Sequence, residues 1–267
     1  MKRKNLNGFS THHSYLHSPE ANYSLAQKSN GVIVSEKATI ETHFKNLDQV
    51  LVEKIRQSEA VVGCVAWLTH EGILNALAKT KHGVSIVIQK EDFLRPDINQ
   101  SGVNFSLRMR ELYDQLKPIT NWGERSFRKK IDQSGFDSNS TNEWYMAAQE
   151  PVDISIRCVG YRKGINEFAL PRMHHKFLVF CKVVDESGYP FTEYEKYRPY
   201  AVWTGSFNMT KNGTMSLENG VYIESDDISL SYYKEWINML LLSEALDWES
   251  EWAAPDLHYL DECAIIS

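Results

Sequence analysis

The sequence predicts an α/β fold, a mixed, largely parallel sheet flanked by helices on both faces, interrupted by a polar insertion. Three observations carry this reading. From about residue 31, apolar runs of strand length alternate with segments of helical period. The runs at 60–68 and 84–88 are almost continuously apolar, as strands covered on both sides are. The segments beside them carry apolar residues three and four apart, the mark of a helix with one buried face.

The elements follow in order. Residues 1–30, rich in Ser, Asn and His, lack periodicity and read as an irregular arm. His12, His13 and His17 have no Cys partner nearby and Glu20 as the close acid, so they read as a solvated tail and not as a metal site. Residues 31–34 and 38–40 look extended. Phe44, Leu47, Leu51 and Ile55 recur at helical spacing and predict a helix over 44–58. The strand at 60–68 is followed by a short helix with Ile73, Leu74, Leu77 and Ala78 on one side. Gly83 stops it before the strand at 84–88. Residues 91–150 break the rhythm and read as an insertion, with a helix over 104–117 and a Ser/Asn/Asp-rich loop over 132–142. The alternation then resumes with strands at 154–159, 176–184, 200–204 and 220–223. An apolar helix over 227–247 offers Ile228, Tyr232, Trp236, Met239, Leu240 and Leu246 for burial. A single domain over 31–250 and a C-terminal tail over 251–267 complete the division, with no repeat of fixed period.

Composition narrows the function classes. A chain of 267 residues with 42% hydrophobic and 12% aromatic residues can build a full core, which excludes global disorder. The formal net charge of −6 means that any nucleic-acid site is a local basic patch. Arg125, Arg128, Lys129 and Lys130, with Arg108, Arg110 and Lys117 before them, form such a candidate. They are interleaved with Tyr113, Trp122 and Phe127 and diluted by Glu111, Asp114 and Glu124. Cys64, Cys158, Cys181 and Cys263 lie far apart and read as thiols in a reducing compartment. No apolar segment follows the basic N-terminus and no run approaches a membrane span, so a soluble cytoplasmic protein is expected. Asn139-Ser140-Thr141 then reads as a chance match to a glycosylation acceptor.

Two short motifs carry the chemistry. The first is Met173-His174-His175-Lys176-Phe177, the second Gly205-Ser206-Phe207-Asn208, and Glu218 follows. Two-residue spacing on a strand puts His174 and Lys176 on one face and turns His175 away. An imidazole nucleophile can attack phosphorus and form a covalent phosphohistidine while the lysine neutralises the phosphate oxygens. Ser206 and Asn208 supply hydroxyl and amide donors, and Gly205 lets the backbone approach a substrate. Glu218 is the candidate to hold the other nitrogen of His174 and fix its tautomer. Either motif alone is weak, since a histidine at a strand edge is commonly structural and Gly-Ser-x-Asn favours turns. A zinc site on His174 and His175 is disfavoured because neighbours on a strand face opposite ways. Together these groups supply a nucleophile, a fixed positive charge, phosphate-binding donors and a carboxylate, an inventory that suits phosphodiester cleavage without metal or cofactor.

His174-His175-Lys176, Gly205-Ser206-Phe207-Asn208 and Glu218 together resemble the phospholipase D superfamily, over about 150–247 and, in α/β rhythm, back to about 31. The Met-His-His-Lys-Phe run is most similar to the small members with a single motif, which include bacterial endonucleases. The resemblance implies a phospholipase D-like fold and a nuclease acting on DNA or RNA. One copy of the motif implies a homodimer, in which His174 of one subunit is the nucleophile and His174 of the other the general acid and base. One departure stands out: Cys181 occupies the position where the family usually has Asp. Two other readings follow from the same residues. One is a phospholipid-cleaving enzyme, against which stands the lack of an evident membrane-binding helix or lipid anchor. The other is a nucleic-acid-binding module that has lost catalysis.

Overall fold

The computed structural model describes residues 37–91, 94, 103–119, 143–146, 154–160, 172–188, 192–246 and 257–260. In chain order the regular elements are β1 (Thr39–His43), α1 (Leu47–Gln57), β2 (Ala60–Val65), α2 (Glu71–Leu77), β3 (Val84–Gln89), α3 (Val103–Asp114), β4 (Glu143–Met146), β5 (Ile156–Val159), β6 (Lys176–Gly188), β7 (Thr192–Gly205), β8 (Gly220–Glu224), α4 (Asp226–Leu241) and β9 (Leu257–Leu260). Seven strands form one sheet in the order β1-β8-β7-β6-β2-β3-β5, and β4 pairs with β9 in a second sheet of two.

The expectation of a largely parallel sheet is corrected. Only β2–β3 and β3–β5 pair in parallel, and the other four pairings of the large sheet are antiparallel. The reason lies in the connections. β6 returns into β7 with no room for a helix, and a short link can only reverse the chain. A parallel neighbour needs a crossover, which α2 supplies between β2 and β3.

Helices do cover both faces. All six residues of β2 are buried, and their side chains alternate between two cores. Val61 and Val65 join Leu178, Phe180 and Trp203 beneath Leu51 and Ile55 of α1, Ile73 and Leu77 of α2, and Leu112 of α3. Val62 and Cys64 join Phe177, Val179 and Val202 beneath Tyr233, Trp236 and Leu240 of α4. Burying each such side chain contributes about 1.5–3 kcal/mol.

Helix ends follow local chemistry. α1 begins later than the periodicity predicts, because Asn46 turns the chain with φ of 53°. That leaves Phe44 outside the helix and 71% exposed. α4 starts where the Ser225 hydroxyl accepts the Ile228 N–H, with Asp226 and Asp227 placed favourably for the helix dipole. It ends at Leu241, short of the predicted 247, because the next residues join β5. Ser243 accepts from the buried Arg157 guanidinium, and Glu244 exchanges two backbone hydrogen bonds with Cys158. The tail expected over 251–267 contains β9, which pairs with β4 from the insertion. The N-terminal arm, the loop over 132–142 and Cys263 lie outside the described residues. Cys64, Cys158 and Cys181 are buried and form no disulfide with one another.

Candidate active site

The pairing register brings four strand ends to one edge of the sheet. Val65, the last residue of β2, lies opposite Lys176, the first of β6. Phe177 lies opposite Thr204 near the end of β7, and Gly205 lies opposite Gly220 at the start of β8. The two motifs are thus neighbours because antiparallel strands place an end beside a start. The ladder continues one step past β2, where the Ala66 N–H donates to the His175 carbonyl at 2.8 Å.

Alternation along 172–180 sorts the side chains. His174 and Lys176 share the side of Leu178 and Phe180, below α1 and α2. His175 faces α4, where its Nε2 lies 3.0 Å from Glu235 Oε1 and its ring meets Phe177 edge-on. The Lys176 chain is buried, 8% exposed, and its Nζ lies 3.1 Å from each ring nitrogen of His174 and from the His174 carbonyl. A cation equidistant from both nitrogens sits over the ring, not along either lone pair. Burial pushes the His174 imidazole below its usual pKa, and the charges of Lys176, Arg172 and His175 add to the shift. Burial also lowers the Lys176 ammonium, while the Glu218 carboxylate opposes that.

Across the same edge, Ser206 is held from three sides. Its hydroxyl donates to the Glu218 carboxylate, its N–H donates to Asn219 Oδ1 at 2.8 Å, and its Oγ accepts the Asn219 N–H at 3.0 Å. Glu218 therefore anchors Ser206 within the chain, where the sequence suggested that it would hold His174. Loop length decides this: Glu218 stands two residues before β8, directly beside the end of β7. Asn208 is half-buried, and its Oδ1 is buried without a hydrogen-bond partner among the described residues. Gly205 has φ of 154°, and a Cβ there would stand 2.3 Å from the Asn219 carbonyl oxygen. Gly205→Ala is expected to cost about 1–3 kcal/mol, read as a lower urea midpoint, and to displace the Ser206 donor.

Two site residues escaped the sequence reading. Arg172 continues the alternation Arg172-x-His174-x-Lys176, a signal that was available. Trp67, just beyond β2, had none. Its ring meets His174 edge-on at 5.3 Å between centroids and 80° between planes. Arg172 Cζ lies 5.6 Å and Lys176 Nζ 5.8 Å from its centroid. The indole N–H donates to Glu91 at 3.2 Å.

The described residues include the first part of the basic cluster. Arg108 pairs with Glu71 and, at 3.6 Å, with Glu111. Tyr113 is core and donates its hydroxyl to the Leu68 carbonyl at 2.9 Å, so its ring is not available to stack on a base. Arg125, Arg128, Lys129 and Lys130, with Trp122 and Phe127, lie outside the described residues. Cys181 is fully buried against α4 beside a register shift in β6. Among the described residues no group of three or more His, Cys, Asp or Glu side chains is placed to hold a metal ion. No helix there is long and apolar enough to cross a membrane.

No family model matches the chain. The uncharacterized protein L381 of Acanthamoeba polyphaga mimivirus is 32% identical to it over 217 residues, 79% of this chain and 69% of that protein. Similar solved structures include Nuc, a phospholipase D family member from Salmonella typhimurium. It has 15% identity and a TM-score of 0.44, over 80% of this chain and 100% of that one. NucT from Helicobacter pylori has 13% identity and a TM-score of 0.42, over 78% and 99%. Phosphatidylserine synthase of Haemophilus influenzae has 15% identity and a TM-score of 0.41, over 86% and 44%.

Proposed function

The chain belongs to one family with the mimivirus protein L381, and from that premise and its phospholipase D-like signature we propose that it is a metal-independent phosphodiesterase, a nuclease that cleaves DNA or RNA through a phosphohistidine at His174. The observation that carries this reading is the convergence of His174, Lys176 and the Ser206–Glu218 pair at one sheet edge.

The chemistry follows from those groups. A ring nitrogen of neutral His174 attacks phosphorus, a P–N bond forms and the P–O bond to the leaving group breaks. Lys176 stabilises the charge that builds on the non-bridging oxygens, Asn208 binds the phosphate through its amide N–H, and the Ser206 hydroxyl does so by turning from Glu218 to the phosphate. The leaving oxygen takes a proton from His174 of a second copy. That imidazole then removes a proton from water, which attacks the phosphohistidine and breaks the P–N bond. A homodimer supplies this second imidazole. Met215 and Leu217, 72% and 106% exposed beside Glu218, give the rim of the site an apolar surface suited to such an interface.

The test is cleavage of labelled single- and double-stranded DNA and RNA in excess EDTA. Cutting that persists in EDTA supports the reading, and cutting that EDTA abolishes overturns the mechanism. Cleavage of phospholipid vesicles instead of nucleic acid would overturn the substrate.

The pH profile gives a second check. One imidazole must be neutral and the other protonated, so the rate passes through a maximum near their shared apparent pKa. Burial and the neighbouring positive charges lower His174 from its ordinary value, which shifts the maximum towards acid pH. Arg172→Ala removes one of the positive charges that lower it, so the maximum is expected to move towards higher pH.

A further inference from the structure

Three features around Trp67 belong together. The indole is half-buried, with part of its surface open at the site edge. Its orientation is held by the bond from Nε1 to Glu91 and by the ladder that ties Ala66 to His175. It is flanked by the nucleophile candidate and by two cations, Arg172 and Lys176. Along the strand, Arg172 and Lys176 stand on either side of His174. Each is two residues away, roughly 6.6 Å of strand rise. Arg172 thus stands about as far from the nucleophile candidate as one phosphate from the next along a polynucleotide, with Lys176 on the other side of His174.

We infer that Trp67 and Arg172 form a nucleotide subsite for single-stranded nucleic acid, Trp67 stacking on the base beside the cleaved linkage and Arg172 holding the adjacent phosphate. The inference rests on the nuclease reading and names the form of its substrate. An aromatic face next to fixed positive charge matches a ligand that is both planar and anionic. A base offers the plane and its phosphate the charge. A choline or ethanolamine headgroup would meet Arg172 and Lys176 as like charges, and an acyl chain would leave both cations facing hydrocarbon. A paired base has its faces covered by its neighbours in the duplex, so this subsite favours unpaired strands.

Binding to the His174→Ala protein separates the subsite from the chemistry. The probes are fluorescein-labelled twelve-nucleotide DNA and RNA strands, each beside a counterpart in which every nucleotide is abasic. Trp67→Ala is expected to weaken binding of the base-bearing strand about 5- to 150-fold and to leave the abasic strand within about twofold. Trp67→Phe keeps an aromatic face and should recover most of the loss, which a folding defect would not allow. Arg172→Ala should weaken both strands and flatten the dependence of binding on salt. Equal losses on both strands with Trp67→Ala, or no loss on either, would overturn the subsite. Cleavage by the wild type, run in parallel, reads the nuclease assignment. Trp67-dependent binding without cleavage would sink the assignment and keep the subsite, and cleavage with Trp67-independent binding would do the reverse. A wild type that neither cuts nor binds sinks both.

Discussion

Replacing His174 with alanine is expected to lower turnover of a nucleic-acid substrate by about 10⁴- to 10⁶-fold, the loss found when a covalent nucleophile is removed from an otherwise intact site. The fold has little stake in this side chain. His174 is exposed and precedes β6, and its ring contacts are with Trp67 and Lys176. Thermal unfolding of the variant should therefore match the wild type while activity disappears. The mechanism also predicts a trapped species. Rapid alkaline quenching of the wild type on a ³²P-labelled strand should leave label on the protein. The adduct should be stable to base and labile to acid, as a phosphohistidine is. No label, or the same label on His174→Ala, would place the nucleophile elsewhere. In a mixed dimer, one His174→Ala subunit removes either the nucleophile or the general acid from the shared centre. Heterodimers with the wild type should then be close to inactive, whereas a monomeric mechanism would leave half the activity.

Lys176→Met has the next largest expected effect, a fall in kcat of about 10²- to 10³-fold, as when an electrostatic donor is removed from a developing oxyanion. The ammonium is buried at the start of β6, and burial already holds its pKa below the ordinary value. Methionine fills a similar volume without the charge, so the fold loses no core and sheds a desolvated cation. Unfolding temperature should stay level or rise. A second readout follows from the same contact. Lys176 is one of the charges that lower the His174 pKa, so the residual activity should peak at higher pH than in the wild type. A drop in kcat with an unmoved pH maximum would mean that the ammonium does not face the imidazole in the working enzyme.

Much of the fold was legible because burial leaves a period. The continuous apolar run of β2 and the three–four spacing of α1 and α4 encode what each face touches, and the structure has them where that pattern put them. Strand direction left no such mark. An apolar run reads the same whether its neighbour is parallel or antiparallel, which is why β6, β7 and β8 were expected in a parallel sheet and form an antiparallel meander. The ends of α1 and α4 were misplaced for a related reason. Asn46 and the bridge from Glu244 to Cys158 act through backbone geometry and a distant strand, and neither appears in a hydrophobic pattern.

The candidate site divides along the same line. By itself the sequence determined that His174 and Lys176 share a face and that His175 turns away, because side-chain alternation on an extended chain is a local property. It also determined that a serine, an asparagine and an acid follow in the chain. Only the tertiary structure decided which of these groups meet. The register of β6, β7 and β8 sets Ser206 beside Glu218 and gives that carboxylate to the serine, not to His174. The pairing of β2 with β6 carries Trp67 to the nucleophile candidate from more than a hundred residues away in sequence. Contacts across strands depend on pairing register, and register is set by the packing of the whole sheet, which no short motif contains.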